Sequence, residues 1–320
     1  MSGAIAGTAI LYTALNQKSI KEIKMAGAIA GTVILNTKPN KKLQLVTLTV
    51  NNCCNLNCGH CYLQNGQDNS FVDDKTIDKV IESGAKHIAI VGKEPLLDLD
   101  KTTNLIYRLH DAGKKVSLVT NGILLHKLDK NALGILDYVD ISMDGGPKTY
   151  SRGDYNLIER NLILHRKTNV LHTIYKENLD NINDMLRVSA NIMLFSPYLV
   201  TQNSGNNSVT NVGLSDLLNS FSASNIRDYP NAKLGLDTYY AEQEKTSFNE
   251  IQKRIKEYKL KQNTFLFKND SLEYGIIRVT FDGKLLSPKD SLHTNIYVKS
   301  GKSIKNIDSQ FEQMLMKSKM

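Results

Sequence analysis

Six apolar segments of strand length alternate with helix-like stretches between residues 43 and 198, and this alternation restricts the fold more than any other feature of the chain. The strand-like segments are "LQLVTLTV" (43–50), "HIAIVG" (87–92), "KKVSLVT" (114–120), "YVDISMD" (138–144), "VLHTIY" (170–175) and "NIMLFSPY" (191–198). Helix-like stretches fall at 74–84, 99–112, after residue 120, near 154–166 and at 179–189. Strands separated by helices of this length pair in parallel, because the intervening helix carries the chain back along the sheet. Near-continuous Val, Ile and Leu runs fit strands buried on both faces. The expected fold class is α/β, a partial (β/α)6 TIM barrel, about three-quarters of a full (β/α)8 barrel.

The flanks depart from this rhythm. Residues 1–42 form an N-terminal extension in which "GAIAGTAIL" (3–11) recurs as "GAIAGTVIL" (27–35). Two copies are too few for a solenoid and read as a local duplication, with substrate docking as the alternative. The barrel core is expected over 43–199, and residues 200–320 form a small α+β C-terminal extension. That extension opens with the polar stretch "VTQNSGNNSVTNV" (200–212), a candidate lid, followed by helices around 213–222 and 246–261. "GIIRVTFDGKLLS" alternates around Asp282-Gly283 as a β-hairpin does, and an amphipathic helix over 307–317 closes the chain. No apolar run reaches the roughly 18 residues of a membrane span. The apolar N-terminal stretch has no preceding Lys or Arg, unlike a secretory signal. Charge is uneven: +5 over residues 1–50, +7 over 251–320 and −4 between them, within a total of +8. Basic ends can attract nucleic acid, an acidic peptide or an acidic electron donor, or simply keep the surface soluble.

All four cysteines lie in "CCNLNCGHCY" (53–62). Cys54, Cys58 and Cys61 are spaced C-x3-C-x2-C, and the aromatic Tyr62 follows. Thiols so crowded do not form a disulfide framework, which places the chain in a reducing cytoplasm. They can instead surround one metal centre. Three thiolates leave one iron of a four-iron cluster without a protein ligand, the open position a metal needs to bind a substrate or cofactor. Zinc is the alternative, with His60 as its fourth ligand. Cys53 could be a substitute ligand, a free thiol or a small buried residue.

Later strand ends carry "VGKEPLL" (91–97), "VTNGILL" (119–125), "ISMDG" (141–145), "SRGDY" (151–155) and "TIYKENLDNI" (173–182). With the cysteine loop ahead of them, these elements resemble the radical SAM superfamily in type and order from residue 43 to 198. The resemblance implies that Cys54, Cys58 and Cys61 hold a [4Fe–4S] cluster whose fourth iron is chelated by S-adenosyl-L-methionine. It assigns the cofactor to Tyr62, Gly92, Glu94, Pro95, Thr120, Asn121, Ser142, Asp144, Arg152, Asn178 and Tyr198. Among these, Glu94 would face the SAM ammonium, and Ser142 with Asp144 the ribose hydroxyls. Helix capping is the competing role for Asp144 and Asn178. Lys93 replaces the family's second Gly and is expected to point away from the cationic ligand.

The resemblance further implies reductive cleavage of SAM to a 5′-deoxyadenosyl radical that abstracts a substrate hydrogen. The electron would come from a flavodoxin- or ferredoxin-type donor. The tail is similar to that of peptide maturases and the molybdenum-cofactor enzyme, with Ser287 where those proteins carry a cluster-ligating Cys. With no cysteine beyond Cys61, cysteine-ligated auxiliary clusters are excluded, and epimerisation through a cysteine hydrogen donor is disfavoured. A ribosomally made peptide, undergoing crosslinking, scission or excision, is the expected substrate. The alternative is a nucleotide-like small molecule in cofactor or nucleoside biosynthesis. Transfer RNA is a third class, although no RNA module or aromatic stacking run is recognisable. Tyr198, Arg152 and Lys93 are the nearby acid–base candidates.

Overall fold

The computed structural model describes residues 10–12, 45–61, 70–146, 152–191, 193–198, 210–223, 234–237, 264–268 and 276–279, with scattered positions between 246 and 286. Its strands are β1 (Ile10–Tyr12), β2 (Leu45–Thr49), β3 (His87–Val91), β4 (Lys115–Thr120), β5 (Tyr138–Ser142), β6 (Thr168–Ile174) and β7 (Met193–Pro197). They continue with β8 (Leu234–Asp237), β9 (Thr264–Lys268), β10 (Ile276–Val279) and β11 (Leu285–Leu286). The helices are α1 (Asp74–Glu82), α2 (Leu99–Asp111), α3 (Lys130–Ile135), α4 (Tyr155–Asn161), α5 (Lys176–Leu179), α6 (Ile182–Leu186) and α7 (Leu214–Ala223).

All described strands belong to one sheet, ordered β1-β9-β8-β7-β6-β5-β4-β3-β2-β10-β11. The six expected strands, β2 to β7, are parallel neighbours in chain order, as a partial barrel requires. The parallel ladder extends further than the periodicity indicated: β8 joins β7, β9 joins β8, and β10 pairs with β2. The hairpin forms with Val279 opposite Leu285, and through β10 it extends the barrel sheet. At the other edge, β1 pairs antiparallel with β9, so the end of the first "GAIAGTAIL" copy becomes an edge strand. The second copy, most of the 200–212 stretch, much of 246–261, the 307–317 segment and Ser287 lie outside the described residues.

Local chemistry sets the helix starts. Asp73, Asp98, Asp129 and Asp154 cap α1, α2, α3 and α4 by accepting backbone N–H bonds from Thr76, Lys101, Ala132 and Leu157 at 2.6–3.1 Å. The single helix expected over 179–189 is instead two, α5 and α6. Asn and Asp side chains in "ENLDNIND" compete for backbone bonds and disfavour an uninterrupted helix.

The sheet's two faces differ in chemistry. Val46, Leu48, Ile88, Ile90, Val116, Leu118, Val139 and Ile141 pack against Ile77, Val80, Leu105, Leu109 and Ile158 of the covering helices. Because side chains alternate along a strand, Thr47, Thr49, Ser117, Asp140, Ser142, Asn169 and Thr173 turn to the opposite face. These residues are as buried as the apolar set, at 3% exposure or less. Their polar atoms pair with one another: Asn169 Nδ2 donates to Asp140 Oδ1 at 2.7 Å, and Asn191 Nδ2 to Asn169 Oδ1 at 2.9 Å. The barrel interior is therefore a buried polar layer partly joined by hydrogen bonds. Among the described residues no helix is long and apolar enough to cross a membrane.

Gly122, just after β4, has φ +81°, and a Cβ there would meet Ile141 Cγ2 at 2.8 Å. Gly113 has φ +71° with nothing within 4 Å. Gly113→Ala should therefore cost only the left-handed backbone strain, about 1 kcal/mol. Gly122→Ala adds overpacking and should cost about 3 kcal/mol, measured by urea denaturation.

His87 and His172 are buried, which pushes their pKa values down to about 3 and about 4. Each protonates in the unfolded chain near pH 6.5 but stays neutral when folded. The stability each contributes is complete above pH 6.5 and is lost as pH falls toward the folded value. In that window stability should fall by about 1.4 kcal/mol per pH unit per histidine. His87→Gln should flatten the slope between pH 4 and 6 by one such increment.

Candidate functional site

The loop after β2 runs across the C-terminal ends of the neighbouring strands, the face on which barrel proteins build their sites. Two backbone contacts pin its start. Glu94 N–H donates to Cys53 O at 3.0 Å, and Asn51 Nδ2 donates to Glu94 O at 2.8 Å. Gly92 is where the two segments touch, since a Cβ there would strike Asn51 Oδ1. Farther along, Cys61 N–H donates to Cys58 O at 2.9 Å and closes a tight turn over Gly59 and His60.

Glu94 organises the next layer. It is fully buried and caps the 3-10 turn Pro95–Leu97, accepting the Leu96 N–H at Oε1 at 3.0 Å. Oε1 also accepts the Thr120 hydroxyl at 2.7 Å, and Oε2 accepts the Asn121 N–H at 2.7 Å. Burial raises the Glu94 pKa, with the Asn121, Thr120 and Leu96 bonds opposing it. Asn121 passes the connection onward. Its Nδ2 donates to Asn55 Oδ1 at 2.8 Å and approaches Cys54 Sγ at 3.8 Å, while its Oδ1 accepts the Ile123 N–H at 3.0 Å. Thr120 and Asn121 thus hold the cysteine loop to the end of β4.

A second buried carboxylate lies on the β5 side. Asp144 accepts the Thr173 N–H at Oδ1 at 2.6 Å, and Arg152 Nε donates to Oδ2. His60 Nε2 lies 3.0 Å from the same Oδ2. Burial alone would raise the Asp144 pKa, but Arg152 and then His60 hold it well below the usual carboxylate range. Asn178 is committed to its own chain: its Oδ1 accepts the Tyr175 N–H at 3.0 Å and its Nδ2 donates to Thr173 O at 2.8 Å. This is the capping role. Ser142 and Tyr198 are buried at the ends of β5 and β7, and Tyr62 lies outside the described residues.

The four cysteines are all free thiols. Cys53 is buried, and its Sγ points to Asn52 Oδ1 at 3.6 Å, in keeping with a small core residue. Burial raises the Cys54 pKa, and it takes Cys58 to about 11 against the lowering effect of Arg152. Buried thiols stay protonated until a metal displaces the proton. Among the described residues no three His, Cys, Asp or Glu converge on one point, so the fit to a cluster rests on the donor set itself. Three half-buried thiols outside any disulfide, in one pinned loop, suit an iron–sulfur centre. Lys93 is half-buried, and burial lowers its pKa while the thiols of the loop act to raise it. Sequence reasoning also missed Asn51, Thr173 and Tyr175 as framing residues and weighed His60 only as a zinc ligand. Nothing in their local sequence announces a tertiary contact.

Glu94→Gln places an NH2 group against at least one donor of this network, the Asn121 N–H if it takes the Oε2 position. It should cost about 2 kcal/mol in urea denaturation, whereas Glu94→Asp should also detach Asn121 and loosen the loop.

Residues 48–198, a little under half the chain, match the Radical SAM superfamily. A probable GTP 3′,8-cyclase of Methanococcus maripaludis is 32% identical over 111 residues, covering 32% of this chain and 37% of that protein. A 7-carboxy-7-deazaguanine synthase of Bacteroides thetaiotaomicron is 41% identical over 69 residues, covering 22% of this chain and 37% of that protein. The chain thus spans little more than a third of the length of these curated relatives. Among solved structures, Streptococcus suis SuiB bound to S-adenosylmethionine superposes with a TM-score of 0.58 at 14% identity, over 82% of this chain and 63% of that one. SuiB bound to its precursor peptide SuiA gives 0.57 over 90% and 65% at the same identity.

Proposed function

With residues 48–198 forming a radical SAM domain, we propose that the chain cleaves S-adenosyl-L-methionine reductively and uses the product radical to abstract hydrogen from a peptide. The observation that carries this reading is the loop of free Cys54, Cys58 and Cys61, pinned at the strand ends through Asn51, Glu94 and Asn121. A [4Fe–4S] cluster bound there would supply the electron for reductive cleavage of SAM, the chemistry from which a hydrogen-abstracting radical derives. Cys54, Cys58 and Cys61 would hold three irons and leave the fourth for SAM.

The protein's own part is binding and exclusion of water. Glu94 uses three acceptor positions within the chain, so one on Oε2 can receive the SAM ammonium. The Gly92–Pro95 turn and Ser142 border the remaining cofactor positions. A flavodoxin- or ferredoxin-type donor would deliver the electron, in a reducing cytoplasm that keeps the thiols free.

Support for a peptide comes from SuiB bound to its precursor peptide, which superposes over 90% of this chain and so over more than the matched domain. A second reading, a nucleotide-like small molecule, draws on the two curated relatives, whose names specify GTP and a deazaguanine.

Anaerobic reconstitution with iron and sulfide, reduction by dithionite and addition of SAM should yield 5′-deoxyadenosine. Cys58→Ala should abolish the product. Zinc in place of about four irons per chain would overturn the reading. Enhancement of SAM cleavage by GTP would transfer the assignment to the nucleotide class.

A further inference from the structure

His60 sits inside the cysteine turn yet faces away from solvent, at 2% exposure. Its Nε2 lies 3.0 Å from Asp144 Oδ2, and its ring stacks on Tyr175 with centroids 5.5 Å apart at 24°. Tyr175 follows β6 directly, and Asp144 lies two residues past β5. One imidazole therefore joins the cysteine loop to two strand ends remote in sequence. Because the Cys61 N–H bond to Cys58 O closes the turn, moving His60 moves both flanking cysteines.

Asp144 has no exposed surface, and both its oxygens are occupied. Oδ1 takes the Thr173 N–H, and Oδ2 takes Arg152 Nε with His60 alongside. Oδ2 faces two nitrogens already, so a ribose hydroxyl could reach only the second acceptor position on Oδ1, beside the Thr173 N–H.

We propose that His60 and Asp144 are a positioning pair that seats the Cys58–Cys61 turn on the ends of β5 and β6, so that Asp144 serves the loop and not the ribose of SAM. What the turn carries rests on the radical SAM reading; the pairing itself does not. Residues that orient metal ligands typically change metal affinity by about 10- to 100-fold when removed. His60→Phe keeps the stack on Tyr175 and removes the nitrogen facing Asp144. His60→Gln restores an N–H donor at similar reach.

The test is run first on the cluster-free full chain, by the rate at which iodoacetamide alkylates Cys58 and Cys61. His60→Phe and Asp144→Asn should each speed alkylation about tenfold, the double variant should be no faster than either, and His60→Gln should stay within about twofold of wild type. The reconstituted chain should show the same order in the rate of iron release to a chelator. Unchanged alkylation in His60→Phe, or effects that multiply in the double variant, would overturn the pairing. So would an Asp144→Asn protein that loses SAM affinity while keeping wild-type alkylation and iron release. Failure of the wild type to take up a [4Fe–4S] cluster would instead count against the radical SAM reading and leave the alkylation result to decide the pair.

Discussion

A carboxylate without solvent exposure is tolerated only where donors surround it, and Glu94 meets this condition with the Leu96 N–H, the Thr120 hydroxyl and the Asn121 N–H. Much of the upper barrel depends on that arrangement. The Glu94 backbone reaches back to Asn51 and Cys53 at the end of β2, and its side chain reaches forward to the end of β4. A single buried residue thus joins three successive strand ends. Losing its charge or length would leave several donors unsatisfied together, so the site behaves as one network.

Asp144 repeats the principle on the other side of the loop. Its hydrogen-bond donors come from β6 and from the segment after β5, and His60 of the cysteine turn lies 3.0 Å from Oδ2. The two carboxylates grip the loop at opposite ends, Glu94 near Cys53 and Asp144 near Cys58 and Cys61. Over its described residues, 51–61, the loop has no regular secondary structure. Here rigidity is supplied by groups the loop does not contain.

Below this layer the barrel interior is polar, with Asp140, Asn169 and Asn191 in one hydrogen-bonded line. Apolar packing between sheet and helices supplies the main driving force for folding, as the Val, Ile and Leu positions of β2 to β6 make plain. The polar inner layer limits which strand registers are acceptable, because a one-residue slip would turn Asp140 and Asn169 into the helix interface.

The order of the βα units and the grouping of cysteines are local properties, and they were legible in the sequence because periodicity and spacing are short-range. So was the hairpin around Asp282-Gly283, read from its alternation alone. The incorporation of β8, β9 and β10 into one sheet was not legible, since strand pairing across a long separation leaves no periodic trace in either partner. The roles of single residues divide the same way. Asn178 as a cap follows from its neighbours within five positions. His60 against Asp144, 84 positions apart, arises only when the strand ends meet. The sequence by itself determined which groups were available and in what order along the barrel rim. Tertiary structure decided which of them are buried and which donors each one meets, because burial and donor count exist only in the folded chain.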